Sequence, residues 1–281
     1  MTFLQLTDTH IAPGGEPAHE AVDTTANLRA ALDMIEASGA SATALLLTGD
    51  LAADGEPDAY QRLRGLVEPA ARRIGAEVVY AMGNHDERAA FRAELLGEPE
   101  GSASPYDAVR MFGGMRVVVL DTTEPGSHDG HLEERQLRWL AEVLAVPAPL
   151  GTILVCHHPP VPSPVPSVNL LRLRGAERLA AVISGSDVRL MVTGHAHHAG
   201  CGSLAGVPVW VGPALAYGVA PVPPAGRLRA DADAAFSRID VFGGRDGQIV
   251  ATAVPLSRAD RVYDVAEAER LRFIESLVEA W

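Results

Sequence analysis

Short apolar runs of strand length recur along the chain and alternate with longer stretches whose apolar residues return every three or four positions. The runs are FLQL at 3–6, ATALLL at 42–47, EVVYAM at 77–82, RVVVLD at 116–121, TILVC at 152–156, VRLMVT at 188–193 and VPVWV at 207–211. Their brevity and β-branched content predict strands. The segments 26–38, 57–73, 88–96, 133–145 and 175–183 predict helices. Pro57 sits at a first-turn position, and Glu133 with Glu134 acidifies the start of the helix after GHL. Such alternation predicts an α/β fold, a mostly buried sheet with helices on its faces.

Two proline-rich stretches, PPVPSPVPS at 159–167 and APVPPAG at 220–226, predict loops, because proline continues neither a helix nor a central strand. Each follows a strand end, where a plain connector and a wall over a site are the two readings; the wider loops run over 159–169 and 220–235. The tail from 264 to 281 predicts a final helix: Asp264 and Glu267 have capping-box spacing, and Leu271, Ile274 and Val278 share one face. That face is expected to close the core or to meet a partner subunit. No repeat or composition break marks a second domain. The expectation is therefore one domain over 1–281, with a motif-bearing part at 3–212 and C-terminal strands and helix at 236–281.

Composition narrows the function classes. A length of 281 residues with 47% hydrophobic content allows a sizeable core. A formal net charge of −13 offers no basic surface for a nucleic-acid polymer. A small anion can still bind where a local cation overrides that field. Two cysteines, Cys156 and Cys201, make no disulfide framework and suit a reducing compartment. No run reaches the length of about 18 apolar residues that spans a bilayer, and strand-like residues from Phe3 leave no leader pattern, so a cytoplasmic protein is expected.

The chemistry sits at strand ends. LLLTGD at 45–50 finishes a buried-looking strand on Asp50, a carboxylate that costs several kcal/mol to bury without a partner. TDTH supplies Asp8 and His10, GNHD supplies Asn84, His85 and Asp86, CHHPP supplies His157 and His158, and GHAHH supplies His195, His197 and His198. In extended backbone, residues two apart point the same way, which would aim Asp8 with His10 and His195 with His197 at one crevice, and turn His198 away. Carboxylate, imidazole and amide oxygen suit Mn, Fe, Co or Zn, and there are too many ligands for one ion. A carboxylate bridging two ions about 3.5–4 Å apart would use them all. Asp86 reads as a helix N-cap, Cys156 as a packing residue, and His19, His128 and His131 as surface residues.

The ordered set DTH, GD, GNHD, HH and GHAH resembles the calcineurin-like metallophosphoesterase superfamily, over residues 3 to about 212. With GEP after the second motif, it is similar to the class III cyclic nucleotide phosphodiesterases of actinobacterial type. The resemblance implies a four-layered α/β/β/α sandwich and two divalent ions (Mn2+, Fe2+, Fe3+ or Zn2+). It implies one ion on Asp8, His10, Asp50 and His197, and the other on Asp50, Asn84, His157 and His195. His85 is then the catalytic residue, and Asn84, His85 and His197 face a small phosphodiester. The implied reaction is hydrolysis of a 3′,5′-cyclic nucleotide, cAMP first, to the 5′-monophosphate by a hydroxide bridging the metals. The alternatives are 2′,3′-cyclic nucleotides or glycerophosphodiesters as substrates, and a non-catalytic scaffold on the same fold. A homodimer is also suggested. Asp54, His158 and Tyr217 are expected behind or beside the ligands. In the family the residue three after the bridging aspartate is often an aspartate that orients the catalytic histidine, but here it is Ala53. Either Asp54 reaches His85, or His85 has no carboxylate partner.

Overall fold

A computed structural model describes residues 1–98, 103–244, 246–256 and 263–278. All seven expected strands form: β1 Thr2–Leu6, β2 Ala44–Thr48, β3 Glu77–Ala81, β5 Met115–Leu120, β6 Thr152–Cys156, β7 Val188–Thr193 and β9 Val207–Val211. The expected helices are α1 Thr24–Ala37, α2 Pro57–Ile74, α4 Glu134–Leu144 and α6 Ala176–Ile183, while 88–96 divides into α3 Arg88–Phe91 and a π-helical turn, Arg92–Leu96. Pro57 opens α2, and Glu133 shares a capping box with Gln136 at the start of α4.

The strands make two large sheets, ordered β13-β12-β1-β2-β3 and β4-β5-β6-β7-β9-β8. β12 Ala235–Val241 and β13 Ile249–Pro255 fall where C-terminal strands were expected, and β4 Ala108–Phe112 and β8 Gly200–Leu204 are additional. Side-chain alternation assigns the layers. Val117, Val119, Ile153, Val155, Leu190 and Val192 join the core that also holds β1, β2, α1 and α2. Their neighbours Val118, Leu120, Leu154, Cys156 and Met191 pack outward, against Leu137 and Leu140 of α4 and Leu179 and Ile183 of α6. The result is helix, sheet, sheet, helix. Gln5 of β1 ties the sheets together beneath the site, donating to Thr48 Oγ1 at 2.8 Å and to the Thr193 carbonyl of β7 at 2.8 Å.

The second proline-rich stretch, 220–226, is a loop as expected, between β10 Gly218–Val219 and β11 Ala230–Asp231, while the first runs into a short helix, α5 Pro166–Leu170. Helix α7, Glu267–Val278, forms within the expected tail, and its first turn is closed by the Ala266 carbonyl accepting from Arg270 N–H. Leu271 and Ile274 are 51% and 40% exposed and do not close the core. Residues 279–281 and the Val278 side chain lie outside the described residues.

Candidate metal centre

The carboxyl ends of β1, β2, β3, β6 and β7 meet at one edge of the sandwich, where backbone bonds zip their loops together. Asp8 N–H donates to Gly49 O at 3.0 Å and His10 N–H to Asp50 O at 3.0 Å. The expected reason for convergence does not hold, however. Asp8, His10, Asp50, His195 and His197 have φ between +42° and +65°, so they are left-handed rather than extended. Such backbone costs a non-glycine residue about 1–3 kcal/mol and persists only where surrounding contacts over-determine it. Here the turns double back and bring side chains from five loops within reach of one another.

Within this knot, Asp8, His10 and His197 each offer a ligand atom within 4.8 Å of the others, and so do Asp8, Asp50 and His157. Asp50 Oδ2 lies 3.2 Å from His157 Nε2 and 3.7 Å from His10 Nε2, while its Oδ1 accepts from His85 N–H at 2.9 Å. Asp50 thus stands between the two expected ligand sets. Backbone carbonyls fix which imidazole nitrogen faces inward: His157 Nδ1 pairs with Thr48 O at 2.9 Å, and His197 Nδ1 with Tyr217 O at 2.9 Å. Gly49 and Gly83 allow the close approach; a Cβ on Gly83 would stand 2.3 Å from Asp50 Oδ1.

Electrostatics mark the cluster as one built around cations. Burial pushes His10 and His195 down to about 3, leaving both imidazoles neutral and free to ligate. Burial also raises Asp8, against the pull of His197 and His157. Burial would raise Asp50 as well, but His157 holds it well below the usual carboxylate range. Conversely, burial opposes a charge on His157, yet Asp50 and Asp8 lift it to about 9. Among the described residues, Asn84 Oδ1 and His157 Nε2 are buried without a hydrogen-bond partner. A buried amide oxygen without a donor, and carboxylates that draw a proton onto His157 for want of another cation, are groups that a divalent metal would satisfy.

The flanking residues need correction. Asp54 is exposed, and His85 Nδ1 instead pairs with the carbonyl of Ala53 at 2.7 Å. The backbone therefore supplies the acceptor that a carboxylate was expected to supply. Asp86 is not a cap: Glu87 accepts from Ala89 and Ala90 N–H at the start of α3. Asp86 instead accepts from Leu51, Ala52 and Gly83 N–H and from Tyr60 Oη, clamping the loop that carries Asp50. Burial, then the charge of Asp50, raises its carboxyl to about 6 against those bonds. His158 is fully buried, with Nδ1 2.8 Å from Thr122 Oγ1 and its ring 4.6 Å from that of His195. His198 turns outward to Ser163 Oγ at 2.8 Å. His19 and His128 are exposed, as expected of surface residues, and they also stand beside the site. His128 Nδ1 lies 3.3 Å from Asn84 Nδ2, and His19 Nε2 lies 3.1 Å from Tyr217 Oη. Neither belongs to a motif, so only the fold could find them. Tyr217 itself tilts against His197 at 4.5 Å.

Known proteins match this arrangement. The profile of the family described as Calcineurin-like phosphoesterase matches residues 1–199. The chain is 48% identical over 215 residues to a probable cyclic nucleotide phosphodiesterase of Rhodococcus erythropolis, covering 76% of this chain and 71% of that one. It is 46% identical over 215 residues to a cAMP/cGMP dual specificity phosphodiesterase of Mycobacterium tuberculosis, covering 76% and 67%. Among solved structures, a dimetal phosphatase from Danio rerio superposes with a TM-score of 0.60 at 18% identity, covering 92% of this chain and 99% of that one. GAP50, the anchor in the inner membrane complex of Plasmodium, superposes with a TM-score of 0.57 at 15% identity, covering 94% and 87%. At such identities the likeness speaks for the fold alone.

Proposed function

The chain belongs to the calcineurin-like phosphoesterase family, and from that premise we propose that it is a metal-dependent phosphodiesterase that opens 3′,5′-cyclic nucleotides, cAMP foremost, to 5′-monophosphates. The observation that carries the reading is the buried cluster in which Asp50 stands between Asp8, His10 and His197 on one side and His157 on the other. Asp8, His10, Asp50 and His197 would hold one divalent ion, and Asp50, Asn84, His157 and His195 the second. Carboxylate, imidazole and amide donors suit manganese, iron or zinc. When bound, two such ions supply charge neutralisation of the phosphodiester and acidification of a water molecule.

The chain's own groups do the rest. Thr48 O and Tyr217 O fix the ring nitrogens of His157 and His197, so the cluster is set before substrate arrives. His85 Nδ1 is held by Ala53 O, which leaves Nε2 as the nitrogen free to meet the leaving oxygen. Water adds to phosphorus and yields a proton to solvent, the P–O3′ bond breaks, and the departing 3′-oxygen takes a proton from His85 Nε2, which solvent then restores. Asn84 Nδ2 would meet a phosphate oxygen, while His197, with Nδ1 on Tyr217 O, spends its other nitrogen on the metal. Both curated relatives named above are called cyclic nucleotide phosphodiesterases, which favours that substrate over glycerophosphodiesters. The intact donor set argues against a non-catalytic scaffold. The test is turnover of cAMP and of bis(p-nitrophenyl) phosphate with Mn2+ and with chelator. Chelator-sensitive hydrolysis with a higher kcat/KM for cyclic nucleotides than for glycerophosphodiesters is expected, and a scaffold would show none.

A further inference from the structure

Two pockets flank the centre. One, of about 420 Å3, meets it through Asn84 and runs along Arg88, Thr123 and Pro125. Arg88 in that pocket is already committed, donating to Ala103 O and Thr123 O. The other, of about 470 Å3, has His10, His85 and Tyr217 as its inner wall. Both volumes suit a small organic ligand. A cyclic nucleotide has a single organic arm, so only one of them can hold it.

Among the described residues both sides carry buried polar atoms without a hydrogen-bond partner. On the first, however, Asn84 Oδ1 is taken as a metal ligand and Arg88 Nε lies 3.3 Å from the Asp121 carboxylate, so the His10 side is the one that keeps such a group for an organic arm. Its outer wall is the segment after β1, where residues 18–22 form a tight turn closed by Ala18 N–H to Val22 O at 2.8 Å and Val22 N–H to Ala18 O at 3.0 Å. His19 and Glu20 sit in that turn with φ of +50° and +58°, a backbone state that side chains rarely adopt. The turn delivers exposed His19 to Tyr217 Oη at 3.1 Å, with the rings edge to face at 5.0 Å. Arg62 braces the segment by donating to Pro13 O at 2.7 Å. Opposite stand Asp54 and Glu56, and among the described residues Glu56 Oε2 is buried with no hydrogen-bond partner. A buried carboxylate oxygen in that state lacks a donor.

We propose that this pocket receives the nucleoside arm of the substrate, with His19 and Tyr217 closing one end around the base and Glu56 accepting from an amino or hydroxyl group. The carboxylates of Glu16, Asp54 and Glu56 favour an uncharged, donor-bearing arm and repel an anionic one. The inference rests on the phosphodiesterase reading and adds the substrate-facing residues to it.

The test compares kcat/KM for cAMP with kcat/KM for bis(p-nitrophenyl) phosphate in Mn2+-loaded protein, alongside calorimetric binding of the cyclic phosphorothioate of adenosine. In His19→Ala and Tyr217→Phe the cAMP-to-bis(p-nitrophenyl) ratio should fall about three- to tenfold, the worth of one hydrogen bond, and in Glu56→Gln by about tenfold. Binding of the phosphorothioate should weaken in parallel. Unchanged ratios and binding in all three variants overturn the proposal. So does a loss seen only in Thr123→Ala or Pro125→Ala, which would put the arm on the Asn84 side. A wild-type protein that binds the analogue through these residues yet hydrolyses neither diester would instead overturn the phosphodiesterase reading.

Discussion

Gly49→Ala should damage the centre without replacing a single ligand. Gly49 has φ of +99°, outside the ranges of L residues, which costs an alanine of order 1–3 kcal/mol. A Cβ there would lie 2.4 Å from His157 Nδ1, 2.7 Å from its Cγ and 2.8 Å from Gly83 N. Restoring ordinary contact needs a shift of about 1 Å in a side chain that is wholly buried, and such overpacking costs about 1–3 kcal/mol. The sum, roughly 2–6 kcal/mol, is a large share of a total stability of about 5–15 kcal/mol. In a chain of this size it should lower the Tm of the metal-free protein by roughly 3–10 °C. It should also move His157 beyond the roughly 0.5 Å tolerance of a working site. Scanning calorimetry and metal analysis after dialysis are the assays, with fewer than two equivalents expected to remain. Gly65→Ala is the control: Gly65 lies inside α2 with nothing within 4 Å of a built Cβ, so it should gain about 0.5–1 kcal/mol. A Gly49→Ala protein that melts within 1 °C of wild type and keeps two equivalents of metal would refute the packing argument.

Other perturbations separate further parts of the reading. His85→Ala should keep both metals while kcat falls on the order of 10²-fold, and unchanged turnover would remove His85 from the reaction. His157, lifted to about 9 in the metal-free protein once Asp50 and Asp8 outweigh burial, should release close to one proton when metal binds at pH 7. Metal affinity should therefore rise with pH until about 9, and calorimetry in buffers of differing ionisation enthalpy reads the proton directly; a zero count contradicts the assignment. Arg88→Ala should cost about 3–5 kcal/mol in urea unfolding, because Asp121, fully buried and 3.3 Å from Arg88 Nε, loses its cation. A loss under 1 kcal/mol would show that the backbone N–H groups on Asp121 suffice.

Local periodicity determines much of this fold. The seven runs identified from apolar pattern all become strands, because burial on both faces leaves a signature within five or six residues. Strands such as β8, GCGSL, escaped notice: an edge strand with mostly exposed, glycine-bearing residues carries no such signature. The donors of the candidate centre were legible too, since ligands at strand ends interrupt apolar runs with residues that burial would otherwise reject. How those donors converge was not legible. Alternation in extended backbone was the expected device, whereas left-handed turns at Asp8, His10, Asp50, His195 and His197 do the work, and nothing local distinguishes the two. Partners distant in sequence were equally hidden. His19 meets Tyr217 across 198 positions, and His85 meets Ala53 O across 32. LLLTGD therefore announces a carboxylate in need of cations, while the acceptor that orients His85 is settled by loop packing between β2 and β3. A backbone carbonyl can fill a carboxylate's place there because hydrogen bonding asks only for an oxygen at the right distance, and position in space is a tertiary property.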